Sequence, residues 1–430
     1  MPILNDALKA YRALLKQEMK GAQWYQIPVW APMIGHIGGV DDGKYPRSIP
    51  FGASKSRTLR PTGKAIEVLT DFYHGGGWNM DIPIIYPLTE DPVFGANPAL
   101  GNEEHRKWAY NQALINQLRK PVLTRDSTMG ELALTPKMVK QIMENAKDDL
   151  VDFNKRWQSY APYDALTRGY SQNILAPKAS GGFGHVYSQK SHPNFYVAGY
   201  GKATWSDTPA TYETNVNTSL DSLTNVDTDY FTSRTIVNAK YYASQLRIQP
   251  TQVGQYYVHV MIIHPAQASQ LFNDSDFKAT MQALTTKDGD KSPLFTGVVD
   301  AYLYRGMLIL VDENAPGVWT SGDGSYDSTR GTVNYGVAHP MSNPQMASDR
   351  KLAFLIGASG VMCGMARSLS FASETWDYEE KKSEASATTI GFNRSDIYDN
   401  DGMFSATAGL FKENTSSLII GTYSPNSPSW

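Results

Sequence analysis

The segment TPKMVKQIMENAKDDLVDFNKRWQSY, residues 135–160, restricts the possible folds of this chain more than any other stretch. Thr135 can cap a helix, and Pro136 suits the first helical position, where a missing N–H costs nothing. Val139, Ile142, Met143, Ala146, Leu150, Phe153 and Trp157 recur at three- and four-residue steps and make one apolar stripe. Lys140, Glu144, Lys147 and Asp148 mostly lie off it. At 1.5 Å per residue the helix runs about 39 Å, long for a globular protein. Ile142, Leu150, Phe153 and Trp157 are its expected core, and Lys147 is expected to face outward.

Around this helix the chain reads as strands and loops. Residues 21–62 are rich in Gly, Pro and aromatics without a period, as in an arm lying on another body. KAIEVLTDF (64–72) alternates, with Ile66, Val68 and Phe72 on one side. DIPIIYPL is extended but carries Pro83 and Pro87, which exclude a central strand and fit an edge or free-standing ribbon. HRKWAYNQALINQLRKPV follows as a third extended or mixed segment. Residues 170–222, rich in Gly, Ser, Thr, Asn and Tyr, read as an insertion of loops and short strands.

A helix is expected at roughly 226–246, then the strand YYVHVMII and a helix after His264. AYLYRGMLILVDENAP reads as a strand pair with a Gly turn, KLAFLIGASGVMCGMA as a strand entering a helix, and SSLIIGTYSP as a closing strand. Helices and strands mix without regular βαβ alternation. No repeat of solenoid period is present.

With 430 residues, 41% hydrophobic and 19% charged, the chain can bury a sizeable core and is too apolar for global disorder. A formal charge of -3, from 39 basic and 42 acidic residues, argues against a dedicated nucleic-acid binder. The single cysteine, Cys363, excludes an internal disulfide framework and a multi-cysteine metal site. Set in GASGVMCGMA, it reads as a packed thiol rather than a nucleophile. The first 20 residues read as an amphipathic helix, not a leader. Residues 21–40 carry no formal charge, yet Gln23, Gln26, Pro28, Pro32, His36 and four glycines spoil a membrane span. The expectation is a protein made and kept in a cytoplasm, without a membrane anchor.

The search for chemistry returns little. His259 and His264, five apart across a strand, face opposite ways and cannot share a metal. His36, His74, His105, His185, His192 and His339 are scattered, with no HExxH pattern. His264 is read as a corner residue whose imidazole bonds backbone beside Pro265. Gly357, Gly360 and Gly364 miss the dinucleotide spacing and read as small-residue helix packing. GGFGH at 181 is read as a turn, since no lysine-serine pair follows it. DNDGMF fails as a calcium loop, because its first and twelfth ligand positions fall on Ile397 and Ala408. Glu103 and Glu104 are adjacent and diverge on an extended strand, so an interface role fits them better than acid/base work. No Gly-x-Ser-x-Gly elbow occurs. No catalytic residue, cofactor or metal is expected.

GKAIEVLTDFYHGGGW, followed by PALGNEEHRKWAYNQALINQLRKPV, resembles the extended-loop region of a major capsid family of podovirus-type tailed phages. The family's Gly-Asn-Glu-Glu-like turn corresponds to Gly101, Asn102, Glu103 and Glu104, and its polar strand core to Asn116, Gln117 and Arg119. The long "spine" helix of the family resembles residues 135–160. MIIHPAQASQL, SPLFTGVVDAYLYRGMLILVDENAP, LAFLIGASGVMCGMA and TWDYEEK then fall in the family's order. The resemblance covers about 60–430, with 170–222 poorly matched, and rests on the ordered set rather than on one motif.

The resemblance implies an α+β protein with the Hong Kong 97-like phage capsid fold. Its division would be an N-terminal arm (1–60), an extended β-ribbon loop (61–112), a peripheral domain (113–255), an axial domain (256–366) and returning strands (367–430). It further implies a shell subunit that self-assembles as pentamers and hexamers around phage double-stranded DNA, contacting that DNA non-specifically. Its expected partners are a separate scaffolding protein, a portal protein and a decoration protein, with no membrane. The place of assembly would be the bacterial host cytoplasm. Glu103, Glu104, Arg106, Arg119 and Trp78 are the candidates for intersubunit contact. A proline-bearing ribbon and an aperiodic arm, neither able to bury both faces at home, agree with obligate assembly. Two other classes stand beside this one: a hydrolase-like enzyme built on His264, and a carbohydrate-binding module using the Tyr/Trp-rich stretch 183–212.

Overall fold

The computed structural model describes residues 34–37, 63–69, 79–85, 108–125, 136–169, 173–177, 183–187, 192, 194–199, 201–202, 218–220, 222–253, 256–280, 301–313, 315, 349–376, 381–396, 398–399 and 416–425. The first half of the chain holds β1 (Ile34–Ile37), β2 (Ile66–Leu69), β3 (Asn79–Ile85), β4 (Trp108–Leu114), β5 (Asn116–Arg125), helix α1 (Pro136–Arg168), β6 (Asn173–Pro177), β7 (Phe183–Tyr187), β8 (Phe195–Val197) and β9 (Gly201–Lys202). Then come α2 (Ser233–Gln245), β10 (Thr251–Val253), β11 (Tyr256–Ile263), α3 (Pro265–Asn273), β12 (Ala301–Tyr304) and β13 (Met307–Val311). The last strands are β14 (Arg350–Ile356), β15 (Val361–Trp376), β16 (Lys381–Arg394), β17 (Tyr398–Asp399) and β18 (Ser417–Tyr423).

Two sheets carry the architecture. Five strands run in the order β1-β2-β15-β16-β5, and α1 lies on one face of this sheet. Asn154 of α1 donates to Ser386 Oγ of β16 at 3.0 Å, and Trp157 tilts against Phe392 at 6.0 Å between ring centroids. The second sheet has eight strands, ordered β12-β13-β11-β14-β18-β8-β9 with β10 added on β11. α2 and α3 cover one face of it, burying Ile236, Ala239, Ala243, Ala268 and Leu271 against Met261, Ile263, Ala353, Leu355 and Ile420. Smaller sheets pair β17-β4-β3 and β6-β7.

A single core joins the two sheets. Val260, Ile262, Leu308, Leu310, Phe354 and Ile419 of the eight-stranded sheet meet Ile66, Val68, Val361, Cys363, Ile390 and Phe392 of the other, with Ala161, Tyr163, Ala165 and Leu166 of α1 between them. This explains why α1 does not stop near residue 160 as its sequence suggests. Pro162 lies inside the helix, where a missing N–H and a ring clash cost about 3 kcal/mol or more. Burying several apolar side chains at roughly 1.5–3 kcal/mol each offsets that. Gly169, at φ 89, then ends the helix, its N–H donating to Ala165 O at 2.8 Å.

Several expectations change on contact with the structure. GVMCGMA is not a helix: β15 continues as an extended strand from Val361 to Trp376, paired with β16 and β2. Gly357 and Gly360 accordingly serve a tight turn, where a Cβ on Gly357 would stand 2.4 Å from the Gln249 carbonyl oxygen. KAIEVL does not alternate; Ile66, Glu67, Val68 and Leu69 are all buried, because β2 lies between β1 and β15. The segment 170–222 is not wholly an insertion, since β8 pairs in parallel with β18 and puts Phe195 and Val197 in the joint core. α2 begins only at Ser233, after a turn organised by Asp229, which accepts from Thr224 N–H and Oγ1. The strand pair AYLY/MLILV forms as read, turning through Arg305 and Gly306 at φ 49 and 81. Thr135, the residues 1–20, and GNEE at 101–104 lie outside the described residues.

Candidate assembly interface

Of the expected intersubunit residues, Arg119 is described, while Trp78, Glu103, Glu104 and Arg106 lie outside the described residues. Arg119 sits on β5, the last strand of the five-stranded sheet, opposite Ala387. It is exposed, and its Nη2 donates to Gln117 Oε1 at 2.6 Å. Its neighbour Lys120 turns to the α1 side, with Nζ 5.2 Å from the centre of the Phe153 ring. Alternation along the strand therefore points Arg119 away from α1, on the outer face of an edge strand. β3 is likewise an edge, and Pro83 lies on it opposite Tyr110, where a missing ladder donor is tolerated.

The expected core residues of the helix divide. Leu150 is 1% exposed, and Trp157 is partly buried against the joint core. Phe153 is only half-buried, under Lys120, and the position turned fully inward is Asn154. The side chain of Ile142 lies outside the described residues. Lys147 and Asp148 are exposed. A polar residue takes an inward position because Asn154 finds two acceptors there, Leu150 O at 2.7 Å and Ser386 Oγ.

His264 stands where β11 passes into α3. Its backbone is extended (φ -76, ψ 150), its Nδ1 accepts from the Ala266 N–H at 3.0 Å, and its own N–H donates to Gln267 Oε1 at 2.9 Å. Burial, and then the positive charge of Lys351, lowers its pKa from 6.5 to about 4. The ring is thus neutral, and its Nδ1 lone pair is committed to capping the helix. His259 is held separately, through Nε2 to the Ile248 carbonyl at 3.0 Å. Among the described residues no group of His, Cys, Asp and Glu is arranged to hold a metal ion, and no helix is long and apolar enough to cross a membrane.

The strongest polar site lies at the joint between the sheets, and sequence reading did not find it. Arg394, at the end of β16, is fully buried; its Nε and Nη2 donate to the two carboxylate oxygens of Asp396 at 2.8 and 2.9 Å. Its Nη1 donates to Leu166 O at 2.9 Å, and its backbone N–H to Gly169 O at 2.9 Å. One arginine thereby satisfies carbonyls at the negative end of α1 and ties the helix to β16. Close by, His192 accepts the Asn194 N–H at Nδ1, which leaves Nε2 to donate to Ser417 Oγ at 2.8 Å. Burial, then the charge of Arg394, holds the His192 pKa well below its ordinary value. The available signal was the Arg-Ser-Asp spacing, which puts opposite charges on one face of an extended strand. Cys363 is also buried here, with its thiol pKa pushed up by burial.

A family model described as phage capsid protein matches residues 57–405. The fold is shared with the capsid of Ralstonia phage GP4, at TM-score 0.53 and 15% identity, covering 91% of this chain and 98% of that one. It is shared with the cyanophage Pam1 capsid at TM-score 0.56 and 15% identity, covering 90% and 99%. The acid-stable capsid of Helicobacter pylori bacteriophage KHP30 gives TM-score 0.52 and 14% identity, covering 84% and 88%. No curated protein matches the chain. With a capsid family model spanning most of its length and the architecture of phage shells, the chain belongs to the phage capsid protein family and is a major capsid protein of the Hong Kong 97-like fold.

Proposed function

We propose that this shell subunit assembles as pentamers and hexamers in the host cytoplasm, with a separate scaffolding protein, a portal protein and a decoration protein as partners. The observation that carries the reading is the capsid family match over 57–405 on a chain whose two sheets share one core. On the expected bounds, α1 and α2 fall in the peripheral domain (113–255), β11, α3 and β12–β14 in the axial domain (256–366), and β16–β18 among the returning strands (367–430). Residues 1–60 serve as an arm and 61–112 as an extended loop, anchored in the five-stranded sheet by β1 and β2 and reaching neighbouring copies through Trp78, Glu103, Glu104 and Arg106. Arg119, exposed on an edge strand, suits the same purpose.

The subunit acts without catalysis. His264 spends its lone pair on a helix cap, which supports that reading. A formal charge of -3 suits non-specific contact with packaged DNA rather than a dedicated binding site. Electron microscopy of the chain expressed with the other head genes of its phage tests the proposal. Closed shells with five- and six-fold capsomers are expected; shells that form equally well without a scaffolding protein would remove that partner.

A further inference from the structure

The helical layer on the eight-stranded sheet is polarised from end to end. At one end the C-terminus of α2 meets the β12–β13 turn, where Lys240 Nζ donates to Arg305 O at 2.5 Å. β11 starts at the same end, since His259 pairs in register with Met307 and bonds the Ile248 carbonyl. Here Tyr241 is 60% and Tyr257 67% exposed, the largest exposures among the described large hydrophobics. Strand alternation puts Tyr257 on the helix-bearing face with His259 and Met261. Arg247 and Arg305 are exposed beside them, and the Arg305 guanidinium lies 5.5 Å from the Tyr304 ring centre.

The other end is acidic. Asp274 accepts the Ser233 N–H at the start of α2 through Oδ2 and the Asp276 N–H through Oδ1, and exposed Asp227, Asp276, Glu313 and Asp349 lie around that end. Arg234 and Lys278 are exposed among them, as is Val226 at 47%. Within residues 222–280 and 301–313, the exposed described carboxylates, Asp227, Asp276 and Glu313, lie toward this end and not toward Tyr241 and Tyr257.

Exposed tyrosines flanked by arginines have the composition of an interface anchor rather than of ordinary surface. A closed ring of identical subunits needs two different faces that fit each other, one on each side of the subunit. Opposite charge at the two ends of one layer supplies such a pair. We propose that the Tyr241, Tyr257, Arg247 and Arg305 end of one copy docks on the Asp227 and Asp276 end of a second copy. The inference rests on the shell-subunit reading and adds the faces through which neighbours meet.

A charge swap tests it, with the chain expressed alongside the other head genes of its phage. Arg247→Glu with Arg305→Glu, and separately Asp227→Lys with Asp276→Lys, should each lower particle yield about tenfold or more. All four substitutions together should restore most of it. Yield is read by sedimentation and electron microscopy, and subunit folding by circular dichroism. Tyr241→Ser with Tyr257→Ser, at exposed positions, should also lower yield and keeps the test open should a charge variant misfold. Normal shells from folded Arg247→Glu/Arg305→Glu subunit would overturn the docking, as would a combined variant no better than either pair. Normal shells that merely lose another head protein would assign this face to that partner and overturn it too. In each case wild-type particles in the same experiment leave the shell-subunit reading standing.

Discussion

Arg394 reaches the α1 carbonyl of Leu166 from 228 positions away, while its Nε and Nη2 hold both carboxylate oxygens of Asp396. Removing one member of a buried pair strands the other's charge. Asp396→Ala is therefore expected to destabilise the subunit by about 3–5 kcal/mol, whereas replacing both by apolar residues should do less harm. Urea unfolding of purified subunit compares the two. His264 gives a pH test. Its pKa is about 4 when folded, against about 6.5 unfolded, so the unfolded chain takes the proton first. Stability should be complete above pH 6.5 and decline as pH falls toward 4. His264→Gln should flatten that part of a melting-temperature profile; an unchanged slope would reject the assignment. The histidine corner was legible because His-Pro stands at a local joint of strand and helix. Arg394 was not, because nothing nearby in sequence tells a strand-end arginine that a distant helix needs closing.

Helix α1 shows how far an element can be read from its own residues. Its start at Pro136, its buried Ala146 and Leu150 and its exposed Lys147 agree with spacing alone. Asn154, however, takes an inward position that the stripe leaves out, and the last turns depend on a core supplied by both sheets. Leu150→Ala should cost about 2–5 kcal/mol as a buried truncation, and Lys147→Ala less than about 0.5 kcal/mol. Phe153→Ala should fall between them, since its ring is half-buried under Lys120 instead of enclosed. Thermal melts that reverse the order of Leu150 and Lys147 would contradict the observed helix phase. β15 hid for a different reason. Val361, Met362 and Cys363 are all buried, so the strand's start shows none of the alternation that marks a half-exposed strand. Small residues around Gly364 then gave the run a helical look.

At the scale of the whole molecule, stability and assembly are separate properties that mutations can part. Reversing Glu103 and Glu104 to lysine should leave the folded subunit intact while lowering shell yield, because like charges brought together at an interface cost several kcal/mol. Light scattering beside circular dichroism distinguishes loss of shells from loss of fold, and shells at normal yield would remove these carboxylates from the interface. The order of segments disclosed the fold, whereas the contact surfaces stayed hidden, since a single chain does not display what its neighbours contribute. The enclosed position of Cys363 has a practical corollary. As the only cysteine in the chain, it leaves the folded subunit with no accessible thiol. A cysteine introduced at an exposed position would therefore give every subunit of the particle one handle for conjugation, repeated over the lattice without first engineering the native residue away.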